Sequence, residues 1–289
     1  STTPYVIGEE IRDYQYRSNY VSLVPQDEAG EPVDPVPPLR RLLWRGRTVL
    51  ANRLYFGRRP AERGLRWFDY AIFFKDRSLA EAKISYSNIG THNHFAIDRA
   101  KAVFNAHGQV ILPLDARDSP AIVAVLNSSI ACFWLKQKSQ FKGLGGVNQE
   151  SRTEHWEGFY EFSGSTIQGM PLPGVLPRKL GSELDRFAQE LSRNHLTVLM
   201  SESLPTSSLM QTAQRVQTRL LHMLIAYQEE LDWQLYHSYG MIDESLTCPG
   251  EVPEIGRGER AFEIVLARRQ RAGEVDTTWF SRHRSSPIT

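Results

Sequence analysis

"SPAIVAVLNSSIACFWLKQK", residues 119–138, decides the fold because its apolar side chains recur at helical spacing. Asp118 or Ser119 is a suitable helix cap, and Pro120 suits the first helical turn. The polar residues 127–129 interrupt the pattern, which predicts a kink or the start of a second helix. The positions that we expect to face the core are Ile122, Val123, Leu126, Ile130, Phe133 and Trp134.

Short segments rich in Val, Ile, Phe and Tyr precede this helix in the sequence and predict β-strands. They include residues 20–24, 47–56, 67–74, 94–97 and 109–114. Between the first two of these segments, the run from Pro25 to Pro38 holds five prolines and four acidic residues, which predicts an exposed loop. Strands of this length around one core helix predict an α+β domain.

Residues 170–177, "MPLPGVLP", predict a hinge, after which the sequence reads as helix. Ser182 with Asp185 resembles a helix-capping box. A longer helix begins at Pro205–Thr206 and ends at Gly240, and at about 1.5 Å per residue it is roughly 50 Å long. Its apolar positions have coiled-coil spacing, so the two helices predict an antiparallel hairpin. The apolar stripe of the first helix is Leu184, Phe187, Ala188 and Leu191.

These patterns divide the chain into three predicted parts. An α+β domain with short strands and a core helix covers residues 1–176, a helical spacer hairpin covers residues 177–240, and a small C-terminal segment covers residues 241–289. In the last part, residues 259–273 read as a helix. Its expected inward side chains are Phe262, Val265 and Leu266.

The composition is that of a globular protein long enough to bury a core. The chain has 289 residues, 41% of them hydrophobic, and a formal net charge of +1. No run of about 18 apolar residues occurs, so we expect no transmembrane helix. Cys132 and Cys248 do not form a C-x-x-C motif, which disfavours a thiolate zinc site and fits a reducing cytosol. Because the chain begins without Met and without a signal peptide, we expect it to be a piece of a longer protein.

Residues 40–66, called here the arginine-rich segment, carry an uneven share of the positive charge. This segment contains nine arginines and one acidic residue, Glu62. Arginine has a planar fork of donors that binds phosphate and the edge of guanine, so the segment predicts contact with nucleic acid. The alternative is a solvated basic face whose side-chain stems pack on apolar surface.

A cofactor-like motif occurs at residues 141–145, "FKGLG", which match F-x-G-x-G. Adenine methyltransferases use this pattern to hold S-adenosylmethionine, but such a loop needs a strand before it and a helix after it. Here a helix ending at Lys138 precedes the motif, no long helix follows, and no Asn/Asp-Pro-Pro-aromatic motif occurs. We therefore expect the match to be accidental and residues 136–146 to form a mobile basic loop.

His92 and His94 in "THNHF" are two residues apart, which predicts that they share one face of a strand. Such a pair can bind a metal ion, with His107 or Asp98 as further ligands. No spacing singles out those ligands, so the sequence favours imidazoles that hydrogen-bond to the backbone, and we expect no metal site.

Six ordered strings resemble the PglX family of adenine-specific DNA methyltransferases from bacterial phage-exclusion (BREX) systems. They are "YVIGEEIRDYQY" near the start, then "DYAIFFKD", "IGTHNHFAIDRAKAVF", "VLNSSIACFWLKQKSQFKG", "FYEFSGSTIQGMPLP" and "EELDWQLYHSYG". The final segment, "GERAFEIVLARR…WFSRHRSSPIT", also resembles the C-terminal part of that family. The resemblance covers nearly the whole chain.

The resemblance implies a division of labour in a longer parent enzyme. An N-terminal domain would bind S-adenosylmethionine and methylate adenine, and a C-terminal target-recognition domain would read the DNA site. This chain would be the second part, with no catalytic residue and no cofactor of its own, and residues 1–176 would be its target-recognition domain. Its implied partners are double-stranded DNA, the methyltransferase domain of the same chain and other BREX proteins, in the bacterial cytoplasm and without a membrane.

Side chains of two kinds are candidates for DNA contact. Basic side chains would bind phosphates, and two asparagines, Asn88 and Asn148, would read bases in the major groove. The basic candidates are Arg45, Arg47, Arg58, Arg59, Lys138, Lys142 and Arg152.

Two other classes of function stay open at this level. The chain could be a protein-interaction module that docks other defence components through the helix of residues 206–239. It could also be a metal-dependent nuclease that uses His92 and His94.

Overall fold

The computed structural model describes residues 2–143, 154–202 and 204–289. Its strands are β1 (Thr2–Val6), β2 (Ile11–Arg12), β3 (Gln15–Tyr16), β4 (Tyr20–Leu23), β5 (Lys83–Ser87), β6 (Ile89–Gly90), β7 (Phe95–Asp98), β8 (Val103–Phe104), β9 (Gly108–Ile111), β10 (Gln140–Gly143) and β11 (Phe159–Glu161). Its α-helices are α1 (Pro37–Trp44), α2 (Arg47–Asn52), α3 (Lys75–Leu79), α4 (Ser119–Leu126), α5 (Ser129–Lys138), α6 (Gly164–Gln168), α7 (Arg178–Arg193), α8 (Leu196–Glu202), α9 (Ser207–Ser238), α10 (Ala261–Arg271) and α11 (Trp279–His283). The predicted α+β class is confirmed.

The strands form small sheets rather than one large one. β5 is the centre of an antiparallel sheet in the order β7-β5-β9, in which Ile84 pairs with Ile97 on one side and Ile111 on the other. β1 pairs antiparallel with β4 and parallel with β8. β11 lies between β10 and β6, and β2 pairs with β3 in a short hairpin. The predicted strands at residues 20–24, 94–97 and 109–114 are thereby confirmed in position.

The main core lies between the β5 sheet and helices α4, α5, α7 and α9. It contains Phe95 from β7, Leu135 from α5, Leu184 from α7 and Leu231 from α9, each at most 1% exposed. Apolar surface of this kind is the main source of folding free energy. Residues before and after position 176 both contribute to this core. The boundary predicted at residue 176 therefore divides the sequence into two parts that pack against each other.

The interruption in the opening stretch is a sharp bend between two helices. α4 and α5 meet at 74°. The Ser128 hydroxyl accepts a hydrogen bond from the Ala131 N–H at 3.2 Å and donates one to the Val125 carbonyl at 2.6 Å, so it caps the second helix and closes the first. The prediction of a kink or a second helix at residues 127–129 is confirmed.

α7 and α9 form the predicted antiparallel hairpin. Gln217, in the first half of α9, donates to the carbonyl of Asn194 just after α7, whereas Tyr227, further along α9, packs on Phe187 within α7. Thr206 caps α9 by accepting from the Leu209 N–H at 3.2 Å. With 32 residues, α9 is about 48 Å long.

α7 begins earlier than predicted. It starts at Arg178, so Ser182 and Asp185 lie inside the helix and the predicted capping box is wrong. The reason is close packing on α4, since a Cβ on Gly181 would lie 2.7 Å from the Ala121 Cα. Docking at this glycine fixes the first turn of α7 against the core, which local capping signals in the sequence do not reveal.

Two predicted strands are wrong. Residues 47–52 form α2, whose backbone bonds are local, as in the Leu50 N–H bond to the Gly46 carbonyl at 2.9 Å. Residues 67–74 form turns and bends, because Asp69 bonds back to Arg66 through both backbone and side chain. Neither segment has a partner strand among the described residues, and without pairing, strand-favouring side chains do not make a strand.

The C-terminal segment also differs in detail from expectation. α10 buries Glu263 and Ala267, while Phe262 and Val265 are exposed, so the predicted inward face is wrong for those two. The buried Glu263 carboxylate accepts from Arg260, from the Trp279 indole and from the Gly258 N–H. This polar centre, rather than an apolar stripe, holds the segment together.

Candidate nucleic-acid interface

The arginine-rich segment stands apart from the core. It comprises α1 from residue 40, α2, and two turns at Gly57 and Gly64, whose φ angles of +73° and +71° suit glycine. None of its residues belongs to either of the two clusters of buried hydrophobic side chains in the described part of the chain. Its side chains therefore present charge without contributing to the packed interior.

The four predicted arginines of this segment are exposed. Arg45, Arg47, Arg58 and Arg59 form no ion pair with any carboxylate that the structure describes. The Arg47 guanidinium lies over the Trp44 ring, 4.5 Å from its centroid, which leaves its edge available to another acceptor. These four side chains are thus exposed, and no ion pair in the described part of the chain compensates their charge.

Arg66 is an anchor for this segment. Its guanidinium donates to Asp69 at 2.7 Å and to Asp34 at 3.1 Å, and Asp69 is buried. The hydrogen bond with Asp69 raises the pKa of Arg66, which stays charged. Arg53 donates to the Asp69 carbonyl as well. Arg66 and Arg53 therefore hold the backbone in place, and the remaining arginines are free of that structural role.

Large apolar side chains are exposed among these arginines. Trp44 is 54% exposed, Val49 75% and Phe56 90%. Exposed aromatic rings next to unpaired arginines offer both stacking and charge to a ligand. This combination of features was not part of the sequence prediction, which considered charge alone.

Three of the other predicted contacts, Lys138, Lys142 and Asn88, lie in or next to α5, β10 and β6. Lys138 is exposed in the last turn of α5. Lys142, on β10, forms an ion pair with Glu161 at 2.5 Å. Asn88, just before β6, interacts through its side-chain oxygen with the Nδ1 atom of His107 at 3.2 Å. Arg152 and Asn148 lie outside the described residues.

The cofactor-like motif begins in a strand. α5 runs to Lys138, and residues 140–143 then form β10, which pairs with β11. The predicted mobile loop over residues 136–146 is therefore wrong for residues 136–143, where helix and strand hydrogen bonds order the backbone. Leu144 and Gly145, which complete the motif, lie outside the described residues.

His92 and His94 lie in the loop between β6 and β7, so the predicted strand face is wrong. Asp13 lies next to the two histidines, and its carboxylate is 2.8 Å from the His94 Nδ1. The candidate ligand atoms of the three residues lie within 4.8 Å of one another. The other ligands considered from sequence are elsewhere, because Asp98 pairs with Lys83 at 3.3 Å and His107 meets Asn88.

The walls of a cleft affect the ionisation of this group. The cleft has a volume of about 820 Å³ and lies between the Asp13 turn, the His92–His94 loop, α9 and the C-terminal segment. Desolvation by its walls, together with the neighbouring His94, lowers the pKa of His92 to about 4, so this imidazole is neutral at neutral pH. Desolvation opposes the charge of Asp13, but the hydrogen bond and charge of His94 outweigh it and lower the pKa of Asp13.

A buried carboxylate joins α9 to the bend in the core. Asp232 accepts from the Ser129 N–H at 2.9 Å and from its hydroxyl at 2.6 Å. Burial raises the pKa of Asp232 to about 6, although these hydrogen bonds lower it. Nothing in the sequence pointed to Asp232, because its partner lies 103 residues away.

In the part of the chain that the structure describes, no single helix is long and apolar enough to cross a membrane. α4 and α5 pass that test of length and composition only as a bent pair. Both bury apolar side chains, among them Val123 and Leu135, in the main core.

Comparison with known proteins identifies one family model and one curated relative. Residues 224–289 match a family described as a domain of unknown function, DUF7008. Adenine-specific methyltransferase PglX from Streptomyces coelicolor is 34% identical over 298 residues, which cover 98% of this chain and 25% of that protein. The family resemblance seen in the sequence is confirmed: over nearly its whole length, the chain is related to PglX, of which it spans about a quarter.

Proposed function

We propose that this chain is the DNA-recognition part of a site-specific adenine DNA methyltransferase in a bacterial phage-defence (BREX) system. It positions DNA for a catalytic domain that belongs to another part of the same parent protein. The name of the relative, an adenine-specific methyltransferase, supports the reaction. The part played by this chain is argued from its own surface.

The observation that carries the proposal is the uncompensated charge of the arginine-rich segment. Elsewhere in the chain, exposed arginines such as Arg117 and Arg186 have carboxylate partners at 2.6–2.9 Å. The guanidinium groups of Arg58 and Arg59 form no ion pair among the described residues, and Phe56, close by in the sequence, is 90% exposed. Phosphate groups of DNA supply the missing negative charge, and arginine binds them with two parallel hydrogen bonds.

The remaining candidates would contribute to DNA binding in different ways. Lys138 and Arg152 would add phosphate contacts, while Lys142 would have to exchange Glu161 for phosphate. Asn148 would read a base edge directly, and Asn88 would do so after releasing His107. These contacts position the duplex so that the catalytic domain can flip the adenine, which costs a few kcal/mol of unstacking.

The name of the relative, an adenine-specific methyltransferase, supports S-adenosylmethionine as the cofactor of the parent protein. The methyltransferase domain would use it, and we propose no cofactor for this chain. Double-stranded DNA and that domain are the partners of the chain, with other BREX proteins as further partners. The location is the bacterial cytoplasm, where the chromosome and incoming phage DNA are found.

The test is a titration of duplex DNA with the purified chain at several salt concentrations. A set of duplexes of differing sequence separates phosphate contact from base readout. The variant R58Q/R59Q should weaken binding roughly tenfold or more on every duplex. It should also reduce the slope of log affinity against log salt by about 2, because each phosphate contact contributes about 0.9.

The matched control is R117Q/R186Q, which removes two exposed arginines that already have carboxylate partners. It removes the same charge and should leave DNA affinity within about twofold. Equal affinities for wild type and R58Q/R59Q, with equal salt slopes, would contradict the proposal. Equal losses in the two double variants would also contradict it, since only net charge would then matter.

A further inference from the structure

The three residues Asp13, His92 and His94 form a compact group of metal-ligating side chains. The imidazole rings of the two histidines have centroids 4.1 Å apart, and the carboxylate of Asp13 lies 2.8 Å from His94. Two imidazoles and one carboxylate are the ligand types that divalent transition metals prefer. Calcium and magnesium prefer all-oxygen sites, so this ligand set selects against them.

The backbone that carries the histidines is held rigidly against the core. Asn93, between them, is 3% exposed, and its side-chain amide donates to the Leu126 carbonyl at the end of α4. Asn127 forms two hydrogen bonds with Phe95, the residue after His94. Its side-chain oxygen accepts from the Phe95 N–H at 2.8 Å, and its amide donates to the Phe95 carbonyl at 2.9 Å. Fixed supports of this kind are what a preorganised ligand site requires.

The turn that carries Asp13 is fixed from the other side. Tyr14 has φ of +63°, a left-handed conformation that is unfavourable for a bulky residue. Its N–H donates to the Phe95 carbonyl at 2.9 Å, and its hydroxyl donates to Gln228 of α9. A strained backbone that is held by several contacts is typical of functional sites.

We propose that Asp13, His92 and His94 bind one divalent transition-metal ion of the Zn²⁺ class. Ligand atoms about 2.0–2.2 Å from a tetrahedral ion lie about 3.4 Å apart, so the present 2.8 Å contact between Asp13 and His94 would lengthen on binding. Three protein ligands leave a fourth position, and that position opens into the cleft. The ion joins the β2–β3 turn to the loop before β7 and presents a water-binding site in the cleft.

The test uses the purified chain with any affinity tag removed, stripped with a chelator and titrated with Zn²⁺ by calorimetry. We expect one saturable site per chain, with Co²⁺ binding competitively and Ca²⁺ not binding. D13N, H92Q and H94Q should each weaken Zn²⁺ binding by at least about tenfold. Zn²⁺ should also raise the Tm of the wild type by more than that of these variants.

H107Q is the matched control, since His107 is exposed and lies away from the group beside Asn88. It should bind Zn²⁺ as the wild type does. Circular dichroism of each metal-free variant separates loss of a ligand from loss of the fold, and if one ligand variant unfolds, the other two decide. Absence of a one-to-one site in the wild type, or equal Zn²⁺ affinity in folded D13N, H92Q and H94Q, would overturn the proposal. DNA binding is not used as a readout, so failure of this proposal does not affect the DNA-recognition proposal.

Discussion

The main core and the arginine-rich segment differ in how their charged side chains are paired. Around the core, the buried Lys83 lies 3.3 Å from Asp98, and α7 carries Arg186 between Glu183 and Glu190. In the arginine-rich segment, Arg66 has acidic partners, but the guanidinium groups of Arg58 and Arg59 form no ion pair within the described residues. The charges named in the first region are paired within the protein. Those of Arg58 and Arg59 are open to an external anion, and DNA is the anion that we propose.

The largest expected effect tests the pairing of the buried Lys83 with Asp98. Asp98 accepts hydrogen bonds from Tyr16 at 2.6 Å and from the Ala100 N–H at 2.8 Å, and its removal leaves the buried Lys83 ammonium without a counter-ion. D98A should lower the free energy of unfolding by about 3–5 kcal/mol, measured by denaturant titration. D34A is the control, because Asp34 meets Arg66 in solvent and should cost at most about 1 kcal/mol. Similar losses in both variants would remove the contrast between the regions.

A smaller effect concerns Asp232, whose buried carboxylate is stabilised by hydrogen bonds rather than by a cation. Because burial raises the pKa of Asp232 to about 6 in the folded state, the folded protein holds this proton more tightly than the unfolded chain. The stabilisation that protonated Asp232 contributes is therefore present at about pH 4 and is lost as the pH rises to about 6. Over that window, D232N should gain about 2–3 kcal/mol of unfolding free energy relative to the wild type. A pH-independent difference between the two proteins would contradict this assignment.

By contrast, substitutions in the arginine-rich segment should change the stability of the protein little. R58Q/R59Q and F56A alter exposed side chains outside both hydrophobic clusters, so each should change the free energy of unfolding by no more than about 0.5 kcal/mol. Denaturant titration beside L184A, which should lose about 2–5 kcal/mol from the core, makes the comparison direct. Losses above about 2 kcal/mol in the arginine-rich segment would mean that it is a structural element.

The smallest expected effect is that of Lys142. Its charge already meets Glu161 at 2.5 Å, so a phosphate contact gains less here than at Arg58. K142A should weaken DNA binding by no more than about threefold, and about equally on every duplex sequence. A loss as large as that of R58Q/R59Q in the same titration would move the centre of the interface to the β10-β11-β6 sheet.

The helices of the core could be predicted from the sequence because their signals are local. Ser128 and Thr206 are caps that make the hydrogen bonds of caps, and the apolar spacing around them is helical. Strands were predicted well only where a partner strand exists, as for β7 and β9. Residues 47–52 have strand-favouring side chains but no such partner among the described residues, and they form a helix.

The two candidate sites were also predictable to different degrees, because one depends on local sequence and the other on long-range contacts. A run of arginines is visible in the sequence, and their exposure follows from the charge. The group around His92 was only half visible, because its third member, Asp13, comes from a turn 79 residues earlier and no spacing links them. Such long-range meetings depend on tertiary packing, here the bonds of Asn127 and Tyr14 to Phe95.

The measurement that tests the central claim most directly is sequencing of modified adenines in cells that express the proposed parent protein. Three versions are compared: the wild type, one with R58Q/R59Q, and one with R117Q/R186Q. The DNA-recognition proposal predicts one methylated adenine motif with the wild type and the R117Q/R186Q control, and strongly reduced methylation at that motif with R58Q/R59Q at equal protein level. Full methylation with R58Q/R59Q would contradict it.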